Sequence, residues 1–310
     1  MVTAYRPPDT PELLAMIQNM IELSDKHANR PWEVPSDSIL LNLFFVHSSA
    51  QHVINLSRGI VTQYRAGQAW ETLPSMRVAM ECAVTAAWCA VAPDQTGGIV
   101  LQGAKERKQL LKAVAQFGID TSEEVTKTEE MINRFLPDQT PAAEVFLERT
   151  REVTGGETFY ASYRTISRLI HPGTELTDFY TEPDDNPANH FKMRLLAAPS
   201  FDDKDAHSWL GHHACMMVIA LRAAESRLVK PRHRTQIDRW AKKLGGIEEV
   251  AFVGKAETKR KPTLQTFIQS TERQALKGKW DLTNVASELR LLADGFDKRA
   301  ENAALSGSND

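Results

Sequence analysis

The chain has 310 residues, of which 42% are hydrophobic and 25% charged, enough for one large core or two ordinary ones beneath a polar surface. No apolar run approaches the ~20 residues that a membrane-crossing helix needs, and the N-terminus shows no basic stretch leading into an apolar one, so neither a membrane span nor a secretion signal is expected. These features predict a soluble protein of the cytoplasm.

The first element starts at Asp9-Thr-Pro-Glu, which supplies a cap, an early proline and an early acid. Leu13, Leu14, Ile17, Met20 and Ile21 then repeat at helical spacing to about residue 29. Pro31 and Pro35 punctuate the connection, and a second helix carries Leu40, Leu43, Phe44, Val53, Leu56 and Ile60 to a glycine stop at Gly67. Its start, Ile39–Val46, is the longest apolar run in the chain, and Asn42 interrupts it. A third helix is expected over about 70–91, offset by Pro74, a fourth over 97–117, and a fifth from the cap at Thr121-Ser122 to Leu136. Short helices follow at about 141–153 and 157–171.

Residues 172–204 hold four prolines and an acidic cluster, and read as a long irregular loop with short extended pieces near 191–196. Helix resumes over 205–229, 233–244, 262–277 and 281–303, and the tail at 304–310 should be disordered. No repeat and no sheet-length alternation interrupts the series. The expected fold is all-α: a helical array with a bundle domain at 1–229 and a basic helical extension at 230–303.

Cys82, Cys89 and Cys215 sit in apolar helical stretches without a C-x-x-C pair, and read as reduced core residues. His207, His212 and His213 lack a carboxylate at ligand spacing, so neither a metal nor a cofactor is indicated. The net charge of −3 conceals a segment, 230–280, with 13 basic against 5 acidic residues. Such a segment can form a face for RNA or another polyanion, with Arg239, Lys242 and Lys243 as contacts, or a solvated exterior docked on the acidic body.

Two constellations carry possible chemistry. Arg77 and Glu81 stand at i,i+4 among apolar neighbours on the third helix, as an architectural ion pair or as part of a site. On a later helix Tyr160, Arg164, Ser167 and His171 recur at i, i+4, i+7 and i+11, with Arg168 beside them. An imidazole that titrates near neutrality and a guanidinium that grips phosphate are the parts of a phosphodiester-cleaving site. A His at a helix C-terminus is also favoured by the helix dipole alone.

The R-x-x-x-E helix followed by a Y…S-x-x-x-H-P-G helix resembles a bacterial helical family of unknown function and, more distantly, the HEPN superfamily, over roughly residues 40–230. HEPN ribonucleases carry R-x(4–6)-H on a helix, and six residues separate Arg164 from His171. The resemblance implies that the two helices pack together, with Arg164 and His171 catalytic and Arg77, Glu81, Tyr160, Ser167 and Arg168 binding or orienting. It further implies a metal-independent ribonuclease of a bacterial stress or phage-defence system, and a homodimer is compatible with it. The alternative from another class is a non-catalytic interaction module in which the same cluster stabilises the bundle.

Overall fold

The computed structural model describes residues 6–27, 40–93, 96–135, 146–153, 156–184, 186 and 192–245. Ten helices and one small sheet lie among them. In chain order they are α1 (Thr10–His27), α2 (Leu40–Arg65), α3 (Leu73–Val91) after a 3-10 turn at Trp70–Thr72, α4 (Thr96–Ala115), α5 (Ser122–Phe135), α6 (Phe146–Arg151) and α7 (Gly156–Ile170). Then come α8 (Thr174–Phe179), strands β1 (Thr181–Pro183) and β2 (Met193–Leu195), α9 (Asp203–Ser226) and α10 (Arg234–Lys243). All fall within the unit Asp9–Val253. The all-α expectation holds; the helices expected at 262–277 and 281–303, and the tail, lie outside the described residues.

Local sequence explains the boundaries. Asp9 Oδ1 accepts from the Glu12 N–H at 2.9 Å while Glu12 Oε2 accepts from the Asp9 N–H at 2.9 Å, a reciprocal box that closes the start of α1. Asp202 caps α9 through the Asp205 N–H at 2.7 Å. Gly67 and Gly118 adopt φ values of 77° and 79° just past α2 and α4, a backbone region where a side chain would be strained.

α2, α3 and α9 pack on one another, α1 crosses α2 and α9, and α6 and α7 lie on α3. α3 is buried on most of its circumference because alanine lets its neighbours approach: Ala79, Ala83, Ala86 and Ala87 are all closed to solvent. Trp88 is the largest fully buried side chain. α10 packs on α9, placing Ile237, Trp240, Ala241 and Leu244 in the same core. The opening helix of the basic segment is therefore part of this core.

Asn42, the break in the apolar run, has a structural use. Its amide is fully buried and donates to the Cys89 carbonyl at 2.8 Å and to Thr96 Oγ1 at 2.7 Å. It thereby satisfies a carbonyl that the last turn of α3 leaves open and ties that end to the start of α4. Within the expected irregular segment, α8 is followed by an antiparallel hairpin pairing Thr181 with Leu195, Glu182 with Arg194 and Pro183 with Met193. Phe179 and Phe201 hold this excursion to the bundle against Trp70, at ring distances of 4.7 and 5.3 Å.

His213 is buried in the core. Its Nε2 lies 2.8 Å from Ser57 Oγ, which itself donates to the Val53 carbonyl at 2.7 Å. Since the hydroxyl proton goes to Val53, the imidazole donates through Nε2. Burial lowers its pKa from 6.5 to about 4. The unfolded chain then binds the extra proton, so stability should be full above pH 6.5 and fall as the pH drops toward 4. Urea denaturation between those pH values should show that slope. H213N should flatten it by up to about 1.4 kcal/mol per pH unit, the contribution of one proton; an unchanged slope would mean that His213 is not the acid-sensitive group.

Candidate functional site

The junction of α3, α6 and α7 gathers most of the polar side chains singled out in the sequence. The i,i+4 spacing on α3 brings Arg77 Nη2 to 3.5 Å from Glu81 Oε1, with both side chains partly exposed. The Arg77 guanidinium then reaches across to α7. Nε donates to Ser167 Oγ at 2.9 Å, and Nη2 donates to the Tyr163 hydroxyl. Its carbon also lies 4.6 Å from the Tyr163 ring centroid. Ser167 Oγ in turn donates a hydrogen bond to the Tyr163 carbonyl at 2.8 Å. Burial, and then a hydrogen bond to the Glu81 carboxylate, push the Tyr163 phenol above its ordinary pKa and keep it protonated. Arg77 thus holds both Tyr163 on α7 and Glu81 on its own helix.

α6 adds a second cation. Arg149 Nη1 donates to Thr85 Oγ1 at 2.9 Å, and its guanidinium stands 5.7 Å from the Phe146 ring. Burial lowers its pKa. One turn on, the buried Glu152 carboxylate accepts from the Trp88 indole N–H at 2.9 Å. Phe146, Tyr160 and Tyr163 complete the junction as an aromatic group, with centroids 4.8 to 6.5 Å apart.

The structure thus brings Arg77, Glu81 and Ser167 together, with Tyr160 at the edge. It does not bring in the other three. Arg164 and His171 are exposed, and no hydrogen bond or ion pair among the described residues joins either to Arg77 or Glu81. Arg168 pairs instead with Glu175 of α8. The second arginine beside Glu81 is Arg149, not Arg164. The reason is register: the core side of α7 carries Phe159, Tyr163, Ile166, Leu169 and Ile170, and of the polar row read in the sequence Ser167 is the residue that bonds Arg77. Those apolar positions recur at i, i+4, i+7, i+10 and i+11, so the packed face was legible in the sequence. Arg149, Glu152 and Thr85 left no comparable signal.

The remaining candidates have separate surroundings. His207 bonds Thr10 at 2.8 Å, His212 bonds the Ser208 carbonyl at 2.9 Å, and His213 bonds Ser57. No group of three metal-ligating side chains occurs among the described residues. The three cysteines are free thiols, and burial raises Cys82 and Cys89 to about 11 and Cys215 to about 12, which removes thiolate chemistry at neutral pH. Arg239, Lys242 and Lys243 are exposed on the outer side of α10. No described helix is long and apolar enough to cross a membrane.

Compared with protein-family models, with curated proteins and with solved structures, the chain matches none. The HEPN resemblance therefore rests on the residues quoted for it.

Proposed function

We propose that this chain is a non-catalytic helical module that binds nucleic acid through the cationic outer face of α10. The observation that carries this reading is the two-sided build of that helix. Ile237, Trp240, Ala241 and Leu244 are buried in the core, while Arg234, Arg239, Lys242 and Lys243 stand exposed. Packing on one side fixes the spacing of the charges on the other, and a fixed row of cations is a phosphate-binding surface. The polar junction on α3 has its Arg77 donors turned onto Tyr163, Ser167 and Glu81, and so works as a tie between helices.

The test is the anisotropy of a labelled single-stranded RNA between about 50 and 200 mM salt. Binding should weaken steeply with salt. R239A/K242A/K243A should reduce the log–log slope by about 2, since each lost phosphate contact removes about 0.7. A triple variant that binds as the parent does, or no binding at the lowest salt, would make the face a solvated exterior.

One observation favours a second reading, a metal-independent ribonuclease of a bacterial defence system. Arg164 on α7 and His171 just past its end are both exposed, where an RNA strand has access. There His171 would exchange the proton and Arg164 stabilise the developing charge, with a second copy of the chain completing the site. Cleavage of RNA in EDTA that H171A abolishes would establish it. Intact RNA would reject it.

A further inference from the structure

A cavity of about 480 Å³ opens between α1, the first half of α2, the end of α9 and the turn into α10. That volume falls within the range of small-molecule sites, and is roughly three times that of an apolar cavity that holds one benzene. The walls are Leu23, Ile54, Leu221, Leu228 and Ile237. Phe44 also lines the cavity and is 59% exposed, a large aromatic surface left in water beside an apolar hollow.

The polar groups on the lining set the chemistry of an occupant. Glu225 and Arg232 carry its permanent charges, one of each sign. Both are engaged: Glu225 Oε2 accepts the His233 N–H at 3.0 Å, and Arg232 is held by an interaction of its own. Burial, and then Arg227, lower His47 to a pKa of about 4, so its imidazole is neutral at physiological pH. An ionic ligand would therefore give up its water for a surface with no unmatched charge to receive it. The two hydroxyls on the lining have spent their protons. Ser24 Oγ donates to Gln51 Oε1 at 3.1 Å, and Ser48 Oγ donates to the Phe45 carbonyl at 3.1 Å. Each oxygen is left able only to accept. A neutral molecule with an N–H or O–H to give meets both conditions.

We propose that this cavity binds a neutral aromatic molecule of two or three rings that bears one hydrogen-bond donor, its rings between Phe44 and the aliphatic walls and its donor on a serine oxygen. The lining shares no residue with the exposed cations of α10 assigned to nucleic acid.

The probes are three dyes of one skeleton, titrated into the full chain and read by fluorescence. N-phenylnaphthylamine is neutral and carries one N–H; its N-methyl derivative lacks the donor; anilinonaphthalene sulfonate adds a negative charge. The neutral dye should bind saturably at one site, with emission that brightens as it leaves water. The sulfonate should bind at least about tenfold more weakly, and the methylated dye about fivefold more weakly, the scale of one neutral hydrogen bond. F44A, at an exposed position, should weaken the neutral dye about two- to tenfold, as expected for the loss of an aromatic pair, while melting as the parent does. A sulfonate or a methylated dye that binds as tightly as the neutral one overturns the proposal, and so does the absence of saturable binding. The comparison of dyes depends on no variant, so it decides the matter even where F44A fails to fold.

Discussion

Replacing Trp88 with phenylalanine should lower the stability of the chain by about 3 kcal/mol, far more than the change of ring size suggests. Trp88 is fully buried in the centre of the core, so the smaller ring leaves a cavity lined by α3 and its neighbours. The greater part of the loss lies at the other end of its hydrogen bond. Glu152 is 5% exposed and accepts from the indole N–H at 2.9 Å. Without that donor a buried carboxylate stays behind with one fewer partner, at a cost of about 1–3 kcal/mol or more. Removing both groups should be gentler than removing one. W88F/E152L should recover part of the loss, and E152Q, which keeps an acceptor, should cost only about 1 kcal/mol. Urea midpoints for the four proteins decide it. Equal destabilisation of W88F and of the double variant would show that Glu152 does not depend on the indole.

The second large effect is expected at Arg77. R77A removes two hydrogen bonds to α7, the i,i+4 pair with Glu81 and the stacking on Tyr163, and should cost about 2 kcal/mol. R77K should not rescue it, because an ammonium cannot reach Ser167 and Tyr163 together or lie flat on a ring. H171A should change stability by less than about 0.5 kcal/mol, as expected for an exposed residue at a helix end. A cycle of R77A with Y163F should give a coupling of about 1 kcal/mol. Zero coupling would remove Tyr163 from the tie, and a large loss in H171A beside a neutral R77A would reverse the two roles.

Most of the architecture was open to sequence reasoning because it rests on local rules. Asp9, Pro74, Gly67 and Gly118 mark helix ends through backbone chemistry, and apolar spacing marks what lies between. What needed the structure were relations between distant segments. That Asn42 would close the end of α3, or that Glu152 would meet Trp88, depends on how helices 47 and 64 residues apart are brought together. The case of α7 is different in kind. A polar row drew attention to itself, but packing follows the apolar row next to it, and a shift of one residue on a helix turns a side chain by about 100°. That rotation put Tyr163 on α3 and left Arg164 in solvent.

The order of the core in sequence also bears on how the chain is made. α3 ends at Val91, yet its cover includes the buried run Met216–Ala220 of α9, emerging some 125 residues later. At about 5–20 residues per second, a ribosome takes roughly 6–25 s to span that gap. For that interval α1, α2 and α3 stand without the strip that seals them, their Met- and Ala-rich faces open to whatever is nearby. A nascent chain halted before α9 should therefore be a client of chaperones, and the finished chain should not.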